Sequence, residues 1–315
     1  MGAYFLRRAL LGVPTLIGVT IMAFMFLRLM PGDVVAVILG ENAAYATDAH
    51  DLREKLGLND SAPVQYGKWM GQLATGDLGT SLRTGRAITS EARVRLPVTI
   101  ELGALAMFFS VLVALPVGVI AAVRQDSSID YAARGVAVAM LAVPSFWLAI
   151  MVITWPSVWW QWSPPVSYTN LWDDPIANLK QIVIPALILG TATAGSVMRM
   201  TRTQMLDVLR QDYVRTAWAK GLRERQVILR HALRNAFIPI VTVIGLQVPV
   251  LISGTVVLEN VFAIPGMGRY LLESISTRDY AVVQAIVLML SVVVVTTNIV
   301  VDAIYAIIDP RVRYS

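Results

Sequence analysis

Six runs of the chain stay apolar for about 20 residues or more: Ala9–Met30, Val98–Val123, Arg134–Trp160, Ile182–Thr203, Ala236–Leu258 and Tyr280–Ile308. About 20 apolar residues in a helix cross the ~30 Å hydrocarbon layer of a bilayer. A spanning segment must also satisfy its own backbone polar groups, so helix is the form such runs take. The pattern therefore predicts an all-α polytopic membrane protein with six transmembrane helices. The third and sixth runs are long, so their ends project past the hydrocarbon or the helices tilt. Arg7 and Arg8 before the first run imitate a secretory signal, but its apolar stretch is about twice a signal core. Arg28-Leu29-Met30-Pro31 is also no small-residue cleavage site, and the run is expected to be a retained helix.

The polar stretches between these runs set the orientation. Residues 199–234 hold nine of the 26 Lys and Arg residues against three acidic ones. With six crossings, Arg7, Arg8, Arg124, Arg134, Arg311 and Arg313 fall on that same side. The short opposite loops carry only Lys180, Arg269 and Arg278, so the positive-inside rule puts both termini in the cytosol. The segment 31–97 has seven basic residues, but segments of that length translocate largely regardless of charge. Its stretch Asp48–Leu58 spaces Leu52, Leu56 and Leu58 like one helix face, and residues 64–78 add Tyr66 and Trp69, which suit a membrane interface. The expected organisation is a first helix in 1–30, an outer segment in 31–97, and a five-helix core in 98–315 with a cytosolic loop at 204–235.

Charge and composition narrow the chemistry. Charged residues are 15% of the chain against roughly 25% in a soluble domain. The net charge of +5 is accounted for by topology, which removes the case for nucleic acid as a partner. There is no cysteine, and the two histidines, His50 and His231, are too few for a His-based metal or catalytic site. No G-x-x-x-x-G-K-[ST] string exists to cradle ATP phosphates, so ATP-driven work would fall to a partner. Glu101 and Asp302 lie near opposite faces by this topology, too far apart to form an intramembrane active site. Glu101 and Arg28 suit snorkelling at the outer interface. Gln247, Gln284, Asn298 and Asp302 fall at membrane depth, where they either line a path or tie helices together. Pro239, Pro249, Gly245 and Gly254 in the fifth run either form a hinge for alternating access or are ordinary features of a membrane helix. No half-to-half similarity marks the inverted repeats of a secondary transporter.

Within the basic stretch, Arg215-Thr216-Ala217 is followed by Gly221 and Leu233 at a fixed spacing. This resembles the EAA loop of ABC importer permeases, in the RTAxAKGL and HALRNA form of the dipeptide and oligopeptide branch. Further strings in the same order support the resemblance: Gly76-Asp77-Leu78-Gly79-Thr80-Ser81, Arg95-Leu96-Pro97-Val98-Thr99-Ile100-Glu101-Leu102, and Pro144-Ser145-Phe146-Trp147. Glu259-Asn260-Val261-Phe262, Ile264-Pro265-Gly266-Met267-Gly268, Arg278-Asp279-Tyr280 and the ending Asp309-Pro310-Arg311-Val312-Arg313-Tyr314 complete the set. Ala281 departs from the proline usual in the branch. The long segment before the second run is similar to that of the B-type subunit.

The resemblance implies a type I ABC importer permease fold that moves di- or oligopeptides and performs no catalysis itself. It implies a second homologous permease subunit, two cytosolic ATPase subunits carrying ATP and Mg, and an extracytoplasmic substrate-binding protein. It places ATPase coupling at Arg215, Thr216, Ala217, Lys220, Gly221, Leu222 and Leu233. It places the outer gate at Ile264, Pro265, Gly266, Met267 and Gly268. Gly221 is expected to end a short coupling helix in the left-handed conformation, and Arg223, Arg225, Arg230 and Arg234 suit lipid headgroups or acidic partner residues. The alternatives are an importer of another small solute, such as nickel or glutathione, or a secondary transporter. The setting implied is a bacterial inner membrane.

Overall fold

Small residues recur every fourth position at Ala106, Ser110, Ala114 and Gly118, and a helix puts that spacing on one face. In lipid such a stripe lets two helix backbones approach closely. The computed structural model describes residues 2–29, 59–165 and 167–308, with side chains at 2–9, 26–29, 302 and 304–308 left out. The elements are α1 (Gly2–Leu29), α2 (Ala62–Ala74), α3 (Ile88–Val123), α4 (Ser128–Ala142) and α5 (Ser145–Trp160). They continue with α6 (Pro175–Leu209), α7 (Asp212–Ala219), α8 (Glu224–Val261), α9 (Met267–Ser276) and α10 (Tyr280–Ile308). Helix is the regular structure throughout, and among the described residues the only bridge is an isolated antiparallel one between Thr80 and Ala87.

The small stripe of α3 lies on α6, with the two helices running parallel. A Cβ on Gly190 would stand 2.6 Å from the Ala106 carbonyl oxygen, and one on Gly118 would stand 2.7 Å from Thr201. Helix α4 crosses α6 in the opposite sense, with Gly195 against Ala137 and Asp130 paired to Arg202. Helix α8 is also antiparallel to α6, with Gly254 against Leu189 and Gln247 bonded to Ser196. The most apolar stretch of α6 is 67% buried, against 33% or less in α3, α8 and α10. It is the central post of the bundle. Helix α10 packs on the outside, receiving Gly245 of α8 at Val301 and Gly12 of α1 at Val295. Helix α2 sits by the far end of α1: Thr20 and Tyr66 share a hydroxyl hydrogen bond of 2.8 Å, and Phe24 packs on Tyr66 and Trp69.

The third apolar run is not one helix. Helices α4 and α5 meet at a 92° bend, with Val143 extended (φ −88°, ψ 119°). Pro144 causes the break, because it lacks an N–H and disfavours helix in the residue before it. The pair nevertheless travels the length of the bundle. Asp130, at its start, meets the C-terminal part of α6 through Arg202, while Tyr168, just beyond its end, bonds Glu101 of α3 and lies 3.4 Å from Asn178 near the start of α6. Among the described residues four helices are long and apolar enough to cross a membrane alone, and five if the bent pair is one span. The apolar part of α1 with described side chains is the shorter Leu10–Met25. Helix α3 begins at Ile88, ahead of the second apolar run, and carries Pro97 inside it. The amphipathic stretch expected at 48–58 and the 309–314 ending lie outside the described residues.

Gly190→Val would force two backbones apart where no side chain can yield. Purified protein should lose about 1–3 kcal/mol of stability, the usual cost of overpacking. Gly103→Ala is the control, with nothing within 4 Å of the added methyl. Equal melting temperatures in detergent for the two variants would refute the α3–α6 contact.

Candidate functional site

Three regions carry the residues singled out by sequence, and the first is the basic stretch. Helix α7 follows α6 after a two-residue turn and buries Val214 and Ala217 against Val227 of α8. Val208, Leu209 and Leu222 close this small core. The helix ends in a Schellman turn: Gly221 N–H donates to the Trp218 carbonyl (2.9 Å) and Leu222 N–H to that of Ala217 (3.4 Å). Gly221 adopts φ +73°, a conformation only glycine takes without strain. Where α8 begins, residues Val227–Ala232 form a π-helical segment. Val227 and Ala232 are both fully buried, five residues apart, a spacing that an α-helix would rotate by about 140°. The wider π turn re-aims the chain so that Val227 meets α7 while Ala232 joins the core of the bundle.

Of the seven proposed coupling residues, Arg215, Thr216, Lys220 and Gly221 face outward. Ala217 does not: it is 5% exposed inside the α7 core, so it shapes the helix from within and offers no outward surface. Leu222 and Leu233 are half-buried packing residues. The outward face instead presents Tyr213, Trp218 and Leu229, each more than 40% exposed among arginines. Sequence reading passed over them, although apolar residues set among charges are the available signal.

The second region is at the opposite end. Ile264, Gly266, Met267 and Gly268 are buried and Pro265 is half-buried, so this is no projecting turn. Its glycines are required by Glu259, which is fully buried in α8. A Cβ on Gly266 would collide with the Glu259 carboxyl, and one on Gly268 with the backbone of Val256. The carboxyl accepts hydrogen bonds from Thr99 Oγ1 (2.7 Å) and the Arg269 N–H (3.0 Å), and from the Gly268 N–H as well. Thr99 Oγ1 in turn accepts from the Met267 N–H (2.8 Å). Gly266 at the N-cap of α9 has no side chain to offer, so Glu259 and Thr99 satisfy the first donors of that helix from two other helices. A second tie joins Ser81 to the Asp279 carboxyl (2.5 Å), with the Leu82 N–H also donating to it (3.3 Å). Arg95 sits 4.4 Å above the ring of Tyr270. Strings that sequence showed only as an ordered series thus meet in pairs.

The third region is the polar set at depth. Gln247 donates to Ser196 of α6 at 3.1 Å, which makes it a tie between helices. Gln284 is half-buried with no hydrogen-bond partner among the described residues, and Asn298 is exposed on α10. Asp302 lies on α10, and its side chain is outside the description. Glu101 accepts from Tyr168 (2.9 Å), and burial together with this bond raises the Tyr168 phenol above its ordinary range. No group of three or more potential metal ligands occurs among the described residues.

Residues 114–314 match the binding-protein-dependent transport system inner membrane component family, and residues 1–103 match its N-terminal membrane component. The chain belongs to this family. It is 41% identical to the dipeptide transport system permease protein DppB of Alkalihalophilus pseudofirmus, with all of both chains covered. It is 39% identical to the oligopeptide transport system permease protein AppB of Bacillus subtilis, again over all of both. The DppB of Escherichia coli is 38% identical, covering 99% of this chain and 98% of that one. Among solved structures, a crystal structure of an amino acid ABC transporter with histidines matches with a TM-score of 0.53 at 14% identity. It covers 69% of this chain and 94% of the other, a likeness of fold.

The buried carboxyl cluster makes a direct prediction. Glu259→Ala leaves the donors of α9 unsatisfied and should destabilise the purified protein by about 1–3 kcal/mol. Thr99→Val should cost less, and the double variant less than the sum, as expected for one network. Strict additivity in thermal unfolding would show that the two side chains act separately.

Proposed function

We propose that this chain is the B-type permease subunit of an ATP-driven importer of di- or oligopeptides. The cargo reading rests on the full-length relatives, whose names are those of dipeptide and oligopeptide permeases. The coupling reading rests on α7, a short helix locked by its own core to the ends of α6 and α8, with an aromatic and basic face outward. Six crossings follow if α1, α3, the α4–α5 pair, α6, α8 and α10 each span once. Both termini and α7 then lie in the cytosol, and the Glu259 cluster lies outside.

A second homologous permease would complete the path, and two cytosolic ATPases would hold the ATP and Mg. An extracytoplasmic binding protein would deliver peptide. Closure of the ATPases would push on Tyr213, Trp218 and the outward residues Arg215, Thr216 and Lys220. Because Val214, Ala217 and Val227 leave α7 no freedom to slide, that push would reach α6 and α8 together. Catalysis would belong to the ATPases alone. The outer segment Ile264–Gly268 would act as a fixed brace beside the mouth of the path, not as a mobile gate.

Trp218→Ala removes the largest outward anchor of α7 without opening its core. A central aromatic at a protein interface is worth roughly 2 kcal/mol or more, about thirty-fold in docking. Peptide uptake by the co-expressed complex should fall accordingly while the abundance of this subunit is unchanged. Undiminished uptake by this variant would remove α7 as the coupling element.

Sidedness is testable in the cysteine-free chain. Ser167→Cys should react with an impermeant thiol reagent in intact cells, and Arg225→Cys only after permeabilisation. The reverse labelling pattern would invert the topology and place α7 out of reach of any cytosolic ATPase.

A further inference from the structure

At the α7 end of the bundle, helices α3, α4 and α6 enclose a cavity of about 270 Å³. Its walls are apolar, with Ala121, Ala137, Val138 and Met198 among them. Its rim is cationic: Arg134, Arg199 and Arg202 all line it. The three guanidinium groups are not equivalent. Arg202 is committed to Asp130 through two bonds of 2.5 and 2.7 Å, and Arg134 adds a longer contact of 3.4 Å to the same carboxyl. Arg134 also lies 4.4 Å above the ring of Tyr131, which is 60% exposed. Arg199 is exposed and has no acidic partner among the described residues. Asp126 is the other carboxylate acting on this cluster, through its influence on Arg202. Three cations against Asp130 and Asp126 leave the rim positive.

The apolar part of the slot opens sideways along α4, where its lining residue Val138 is 60% exposed. An occupant must therefore be anionic at one end and hydrocarbon at the other. Tyr131 under Arg134 marks the level, since an aromatic ring with a polar tip sits where headgroups meet acyl chains. We propose that this cavity is a binding site for an anionic phospholipid, its phosphate held by Arg199 and Arg134 and an acyl chain laid along Ala137, Val138 and Met198. Basic pockets between helices at a membrane surface are suited to such headgroups. Asp130 has a defined part in the site: by holding Arg202 it fixes the α4–α6 spacing that forms the slot, while leaving Arg199 free for the ligand.

The test is native mass spectrometry of the full-length protein, titrated separately with phosphatidylglycerol and phosphatidylcholine. Phosphatidylglycerol should be retained preferentially. Arg199→Gln, which breaks no side-chain hydrogen bond or ion pair among the described residues, should weaken it roughly five-fold, the worth of one cation near a lipid surface. Val138→Trp, which fills the open side of the slot, should weaken both lipids. Equal retention of the two lipids, or unchanged phosphatidylglycerol binding by Arg199→Gln, would overturn the proposal. So would displacement of the lipid by millimolar inorganic phosphate, which would make this a site for free anions. Cross-linking of Val138→Cys to a second permease subunit in the assembled complex, with no lipid retained there, would assign the slot to that subunit. None of these readings uses transport, so they stand whether or not the peptide-import reading does.

Discussion

Helix α6 is held by contacts too close to adjust. Gly190, Gly195 and the Thr201–Gly118 crossing bring its backbone against α3 and α4, and Leu189 enters the gap left by Gly254 of α8. Lipid offers no hydrophobic driving force between helices, so packing at short range must supply the association. Such contacts forfeit about a quarter to a half of their energy at gaps of ~0.5–1 Å, because dispersion falls steeply with distance. The bundle around α6 therefore behaves as a stiff unit, and motions during a transport cycle are more readily placed between this unit and its neighbours than within it.

That stiffness gives the two ends of the molecule a common frame. At one end α6 runs through a two-residue turn into α7, and the π segment aims the start of α8 onto the same small core. At the other end Glu259 of α8 and Thr99 of α3 hold the first turn of α9, and Asp279 anchors the Ser81 hydroxyl and the Leu82 N–H beside α10. Helices α3 and α8 thus pack on the post and also take part in the outer cluster. The glycines at 266 and 268 serve rigidity here, since they admit a carboxyl and a neighbouring backbone into van der Waals contact.

Much of this was legible in the residues. Apolar length located α3, α6, α8 and α10, because spanning is governed by composition alone. The turn at Gly221 was legible too, since one residue type solves that local backbone problem. The break at Pro144 was not, because a proline in a membrane helix kinks or breaks it depending on what its neighbours can satisfy. The inward orientation of Ala217 depends on Val227, ten residues away beyond the Gly221 turn, at the start of a π segment that no periodicity announces. Glu259 sits in a string that the sequence shows only as one of an ordered series, and only the fold reveals that it is enclosed by Thr99 and the start of α9. Local rules were readable, and pairings across the bundle were not.

The bent α4–α5 pair follows from the same constraint. A straight helix from Arg134 to Trp160 would have to stay beside α6 along its full length, yet the small buried residues gather in α4, at Ala133 and Ala137, against the single Ala149 of α5. Beyond Pro144 the sequence turns to Phe146, Trp147, Trp155, Trp159 and Trp160, whose exposed rings suit a looser, peripheral position. Breaking the helix separates a tightly packed half from a bulky half. It also leaves the outward side of α4 uncovered, so that the Arg134–Arg199 rim and its apolar slot remain open to the surroundings.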